Sequence, residues 1–306
     1  MLRNVPKYFL IALFSLFVYG NAIAQSDTIS SSVNKKRLKL VLGTEIVGYT
    51  VSMTGLYSLR YADYEQSSFH FFNDNDEWLY MDKAGHCMTS YYVGKLGMEA
   101  LRWTGVSDKK AIWYGGTFGL MFLTTVEVFD GLSAEWGFSP GDMIANTSGS
   151  ILLIGQELLW KEQRMLLKFS YHDTKYPSYR PKLGGNFQER MLKDYNGQTY
   201  WLSANIKSFL KNESKFPKWL NFAVGYGIDG VLGGSENPAL NDAGVPIPFF
   251  ERQTQIYFAP DIDLTKIKTK SKLLNTFLGA FGFIKFPLPA LEYNKTDGFK
   301  AHYFYF

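Results

Sequence analysis

The sequence predicts an α+β protein, mainly α, in which an N-terminal bundle of about four apolar helices precedes a smaller aromatic-rich part with one or two helices and a few antiparallel strands. Three observations predict it. Long apolar stretches separated by cap-like residues fill 39–168. Beyond Phe169 the pattern breaks at Tyr171, Tyr176, Pro177, Tyr179, Pro181 and Gly184-Gly185, which places a domain border there and leaves 169–306 as a separate α+β region. Phe222 to Ile228, Thr254 to Ile262 and Lys300 to Phe306 are then rich in aromatic and β-branched residues between Gly/Pro/Asn/Asp clusters, the signature of strands.

Residues 1–24 read as a signal peptide. Arg3 and Lys7 give a positive start, Phe9 to Tyr19 a short apolar core, and Ala22-Ile23-Ala24 small residues for cleavage, so the mature chain is expected to begin at Gln25. Export implies the bacterial cell envelope, on its periplasmic side and membrane-associated. Cys87 is the single cysteine, which rules out an intrachain disulfide. It is not placed to carry a lipid anchor, since Ala24 and Gln25 stand where that cysteine is expected. Residues 25–38 form a polar and basic linker containing Lys35, Lys36 and Arg37.

The first apolar segment runs from Leu40 to Leu59 with Glu45 as its one charge. It is the most membrane-like stretch after the signal, and reads as a helix. Asp82 to Arg102 is the second helix, with Asp82 as N-cap or first-turn acid and Gly105 closing it. Asp108 caps a third, which runs to about Phe129 and is closed by Gly131. The fourth starts at Ser139-Pro140-Gly141-Asp142, a capping-box arrangement with Ser139 as N-cap and proline at the first helical position, and continues to about Lys161. Later, Trp201, Leu202, Asn205, Ile206, Phe209 and Leu210 recur at helical spacing and predict an amphipathic helix. Lys272 to Ile284 predicts a short one. An outer-membrane barrel needs at least eight strands of about ten residues, against three or four legible here. His302, Phe304 and Phe306 fall on one face of the last strand by alternation.

The charge balance is a small excess, Lys+Arg 32 against Asp+Glu 28, spread along the chain and not gathered in the basic stripe of a nucleic-acid binder. Aromatic content of 17% suits surfaces that are apolar at one end and wet at the other. Membrane lipid or envelope proteins are therefore the expected partners, with no nucleic acid.

The polar residues set against the apolar helices form three clusters. Asp82 and His86 are one turn apart and share a helix face, with Lys83 about a hundred degrees away. Glu127 and Asp130 share a face at the C-terminal end of the third helix, where the helix dipole disfavours each anion by about 0.3–1 kcal/mol. Lys83, a protonated His86 or a metal ion would offset that cost. Asp142 has a structural explanation in the capping box; Asn146, one turn on, needs hydrogen-bond partners if buried, which Glu127 or His86 could supply. Cys87 points away from His86 and reads as packing. The polar cluster is thus Asp82, Lys83, His86, Glu127, Asp130, Asp142 and Asn146, with His86 and Glu127 the catalytic candidates and His86, Glu127, Asp130 and Asp142 the candidate ligands of a divalent metal.

These residues resemble the YfiM-like predicted periplasmic lipoproteins, a domain of unknown function whose pattern runs Asp-Lys-x-x-His, Glu-x-x-Asp, then Ser-x-x-Asp-x-x-x-Asp/Asn-x-x-Gly. Here the positions are Asp82, Lys83 and His86, then Glu127 and Asp130, then Ser139, Asp142, Asn146 and Gly149, with Ser139 and Gly149 structural. The order of polar residues is more loosely similar to that of VanZ-like membrane proteins. The resemblance implies an envelope location and supplies no activity. Two functions from different classes follow: a non-enzymatic envelope protein whose polar cluster organises helix ends, or a metal-dependent hydrolase or transferase on a lipid-linked or cell-wall substrate, with His86 as acid/base and nearby carboxylates holding Zn or Mn.

Overall fold

The computed structural model describes residues 32–211 and 213–306; the expected signal peptide and the first part of the linker lie outside the described residues. The chain divides into two compact units, Met1–Asp74 with His86–Gln163, and Asn75–Gly85 with Arg164–Phe306. The protein is α+β.

Helices make up the first unit. Helix α1, Lys35–Leu56, starts where the Asn34 side chain accepts hydrogen bonds from the Lys36 and Arg37 N–H groups, so the basic residues belong to the helix and not to a linker. A π turn, Tyr57–Tyr61, follows it. Helix α2 spans Met81–Trp103. A short turn Asp108–Lys110 and a π turn Ala111–Gly115 lead into α3, Phe118–Gly131. Helix α4, Pro140–Trp160, begins with Pro140 inside its first turn and the Ser139 hydroxyl accepting from the Asp142 N–H at 3.0 Å. Two glycines set how closely these helices approach: a Cβ on Gly119 would lie 2.0 Å from the Ser90 carbonyl oxygen, and one on Gly149 2.1 Å from that of Cys87. Met53, Leu123 and Val126 form an apolar core with Tyr49, Leu56, Phe122 and Phe129 around it.

Much apolar surface stays outside that core. Leu40, Ile46 and Val47 of α1 and Ile144, Ile151 and Leu159 of α4 are exposed. The stretch Asp108–Gly131 is long and apolar enough to cross a membrane by length and composition.

The second unit is built on six antiparallel strands in simple order: β1 Met165–Tyr171, β2 Gln198–Asn205, β3 Leu220–Asp229, β4 Gln253–Ile262, β5 Leu288–Asn294 and β6 Gly298–Tyr305. Helices α5, Phe187–Lys193, and α6, Lys272–Ala280, lie in its connections. The segment 283–285 hydrogen-bonds along β1, through Phe169 N to Phe283 O and Lys285 N to Phe169 O. On the opposite strand, Tyr305 meets Thr199 of β2 at 3.0 Å, so the sheet is curled.

Several expectations need correction. Trp201 to Leu210 is not an amphipathic helix: 198–205 is strand β2 and 206–209 a single 3-10 turn. The short apolar run satisfied a helical period, but pairing with β1 on one side and β3 on the other imposes a period of two. Among the described residues the strands number six; β1 is not legible in the sequence because it follows the fourth helix almost without a break, and β5 because it is short and proline-interrupted. His302, Phe304 and Phe306 do not share a face; a register shift between the Leu288 and Ala290 pairings turns Tyr305 inward beside His302 and leaves Phe304 outside.

The enclosed face of the sheet holds a buried cluster of Trp201, Ala223, Tyr257, Ala259, Ala290 and Tyr305 and beside it an unusual number of buried polar side chains. The enclosed face carries Lys168, Ser203, Asn221, Asp261, Glu292 and Asn294, all buried. The other carries Leu167, Leu202, Val224, Phe258, Leu291 and Ala301, paired in one row across all six strands. Inside, Lys168 Nζ lies 2.6 Å and Lys285 Nζ 3.8 Å from the Asp261 carboxylate, and the Ser203 hydroxyl donates to Asp261 at 2.6 Å. Lys285 also donates to the Pro260 and Phe286 carbonyls and sits over the Trp201 ring; burial pulls its pKa down to about 8.

Just before α2, Trp78, Leu79 and Tyr80 are all left-handed, with φ of 48°, 48° and 64°. The Trp78 N–H donates to the Gly234 carbonyl and the Tyr226 hydroxyl to the Leu79 carbonyl, so the strain is held by the sheet unit.

Candidate functional site

Helices α2, α3 and α4 bring four of the seven predicted residues together in the first unit. Glu127 sits in the last turns of α3, Asp142 and Asn146 in the first turns of α4, and His86 in α2. His86 Nδ1 is 3.1 Å from Asn146 Oδ1 and 3.7 Å from Glu127 Oε1, while Nε2 is 3.9 Å from Asp142 Oδ2. Both ring nitrogens therefore lie within 4.0 Å of a carboxylate oxygen, Nδ1 of Glu127 and Nε2 of Asp142. The ring is 23% exposed and Glu127 1%, so one edge of an otherwise closed cluster is reachable.

The cap of α4 is built differently from the expected box. The Ser139 hydroxyl accepts from Asp142 N–H, but the reciprocal bond from the Ser139 N–H goes to Glu127 Oε2 at 3.2 Å, on a neighbouring helix. The Ser139 hydroxyl in turn donates to Asp74 at 2.6 Å. A local motif has been shared across two helices.

Glu127 is pushed up to about 8, first by burial and then by the Asp142 charge, against the stabilising Ser139 bond. Its Oε1 has no hydrogen-bond partner, nor does Asn146 Nδ2. Asp130 stands apart from this trio of ligand types. It accepts from the Tyr61 hydroxyl at 2.7 Å and pairs with Arg60 at 3.1 Å; burial raises its pKa, while the Arg60 charge opposes the rise. Arg60 and Tyr61, from the π turn after α1, and Asp74 are the residues that sequence reasoning missed. Arg60 carried a faint signal, as a charge closing a long apolar segment.

Asp82 and Lys83 occupy the first turn of α2, within the stretch Asn75–Gly85 of the second unit, and pair with one another at 2.9 Å. Asp82 is a first-turn acid. Cys87 has its thiol raised by burial, as befits packing and not nucleophilic attack.

His86, Glu127 and Asp142 each offer one ligand atom, all within 4.8 Å of one another. A tetrahedral zinc shell at about 2.1 Å sets its ligand atoms roughly 3.4 Å apart, so these three side chains could close on an ion by small rotations.

No curated protein and no solved structure matches the chain. Residues 70–154, which contain all nine residues of the three motifs, match the family model of a predicted periplasmic lipoprotein, DUF2279, a description that agrees with the expected export and puts the protein on the periplasmic side of the cell envelope.

Proposed function

We propose that this is a membrane-associated envelope protein in which the buried polar cluster acts as a clasp, fixing the ends of α2, α3 and α4 against each other. One observation carries the reading: exposed Leu40, Ile46 and Val47 on α1 and Ile144, Ile151 and Leu159 on α4 share a unit with a buried set of charges. Apolar helix faces of this size want lipid or a partner, and the polar groups beneath them are tied across helices, Glu127 accepting from the Ser139 N–H and His86 meeting Asn146. The YfiM-like motif order and its looser likeness to VanZ-like proteins accord with a membrane-proximal helical bundle. Membrane fractionation tests it: the protein is expected to stay with membranes through salt and carbonate washes, and recovery as a soluble monomer without detergent would end the proposal.

A second reading is favoured by the Glu127 Oε1 that lacks a hydrogen-bond partner while lying within ligand distance of His86 and Asp142. In it the cluster binds Zn or Mn, the three side chains hold the ion, and the exposed edge of His86 admits a lipid-linked or cell-wall substrate for hydrolysis or transfer. Metal analysis of protein purified without chelator, compared with His86→Ala, separates the readings. Stoichiometric metal lost in the variant supports the second; its absence from both leaves the clasp.

A further inference from the structure

We propose that the six-stranded sheet turns its outer face to the hydrocarbon of an anionic bilayer, anchored at the headgroups by the lysines around α6. The proposal rests on the membrane-association reading and assigns it a surface outside the matched family segment.

The first observation is the polarity of the two faces of the sheet. A soluble sheet buries its apolar side and wets its polar one. This one encloses Lys168, Asp261, Lys285 and Glu292 and leaves Leu202, Phe222, Val224, Phe258, Leu291 and Tyr293 exposed. Although Trp201, Tyr257 and Tyr305 are buried inside, the exposed apolar row and the desolvated charges are two costs to folding in water. With lipid outside the row the first of them vanishes, which is why sheets with polar interiors and apolar exteriors are the membrane arrangement. The register makes the face continuous, since Leu167, Leu202, Val224, Phe258, Leu291 and Ala301 are paired in sequence from β1 to β6. Aromatic residues extend the face on β6, where Phe299, Tyr303 and Phe304 are 70%, 89% and 81% exposed. Rings at such positions suit the boundary between acyl chains and headgroups.

The second observation is α6. Its Leu273, Leu274 and Phe277 point outward, at 82%, 45% and 54% exposure, and Lys268, Lys270 and Lys272, all exposed, precede or open it. Apolar residues on one side with lysines beside them describe a helix that lies in a membrane interface, its cations near anionic headgroups. The segment 266–272 carries Lys266, Lys268, Lys270 and Lys272 with no acidic residue among them. It therefore selects lipid over a second copy of the same chain, whose corresponding segment would bring the same lysines. Strands of seven to ten residues and an order in which β1 and β6 are not paired with each other fit a sheet seated in one leaflet, not a closed barrel.

The test uses the full-length protein in a Cys87→Ser background, with single cysteines introduced as Phe258→Cys and Leu291→Cys on the outer face and Asp242→Cys on an exposed loop, each carrying an environment-sensitive fluorophore. Circular dichroism selects the variants that retain the fold. The protein is mixed with vesicles of phosphatidylethanolamine and phosphatidylglycerol whose acyl chains are brominated. Labels at 258 and 291 are expected to shift to the blue and lose fluorescence to the bromines, with the label at 242 unchanged. Flotation with vesicles but no quenching at 258 or 291 overturns this inference and leaves the membrane reading standing; failure to float overturns both. Shielding of the 258 label from aqueous iodide that grows with protein concentration in the absence of vesicles would assign the face to a second copy and overturn lipid. Replacing Lys268, Lys270 and Lys272 by Glu is expected to weaken flotation with phosphatidylglycerol vesicles and not with phosphatidylcholine ones, and equal retention on both would overturn the headgroup anchor.

Discussion

At the scale of single residues, Glu127 joins the helix ends and makes the protein sensitive to pH. Its carboxyl titrates at about 8 in the folded chain against 4.5 for the ordinary group. A raised folded value means that the protonated form is the one the fold favours. Its contribution is complete below about 4.5 and is lost as pH rises through about 8. Glu127→Gln keeps an oxygen for the Ser139 N–H and removes the titration, so thermal denaturation should show a variant close to the native protein at pH 5 and more stable than it at pH 9. Its partner in the cap is equally testable. Ser139→Ala removes both the acceptor for Asp142 N–H and the donor to Asp74, and should cost at least the ~1 kcal/mol of a lost N-cap, read by denaturant unfolding.

At the scale of elements, helix contacts are set by small residues and by backbone strain. Gly149 lets α4 lie directly on the Cys87 carbonyl of α2, with room for no side chain. Gly149→Ala forces the helices apart and should destabilise by about 1–3 kcal/mol, as overpacking does, while leaving helix propensity better, so a loss measured in unfolding must come from packing. The left-handed run Trp78 to Tyr80 is the converse case. Each non-glycine residue there costs roughly 1–2 kcal/mol, and the Tyr80 side chain is half exposed. Tyr80→Gly is expected to raise the unfolding midpoint and Tyr80→Val to lower it; equal effects would mean that the side chain, not the backbone, governs this turn.

At the scale of the whole molecule, each unit carries buried charge, but by different routes. In the helical unit the charges meet at helix ends, where backbone N–H groups help. The sheet unit instead encloses an ion-paired triad, Lys168, Asp261 and Lys285, in which the Ser203 hydroxyl donates to one carboxylate oxygen and backbone carbonyls accept from both lysines, while Asp261 Oδ1 faces Lys285 at 3.8 Å without a hydrogen bond. Removing the shared carboxylate by Asp261→Asn strands two cations and should cost about 3–5 kcal/mol, visible as loss of the folded sheet in near-ultraviolet circular dichroism.

How much of this was legible in the chain follows from the range of the interactions involved. Ser139-Pro140-Gly141-Asp142 announced the start of α4 because an N-cap is made within four residues. The α+β class was equally local, written in apolar runs before Phe169 and aromatic, β-branched runs after it. Trp201 to Leu210 misled because five apolar positions fit two periods, and cross-strand pairing with residues far along the chain chose between them. That Glu127 takes the Ser139 N–H, that His86 meets Asn146, that Arg60 and Tyr61 hold Asp130, and that Lys168 and Lys285 close on Asp261 were settled only by tertiary structure. Those contacts join residues from 12 to 93 positions apart, and no spacing rule reaches so far; the sequence by itself determined which groups were available and which stretches were apolar, and the fold decided which charges were desolvated together.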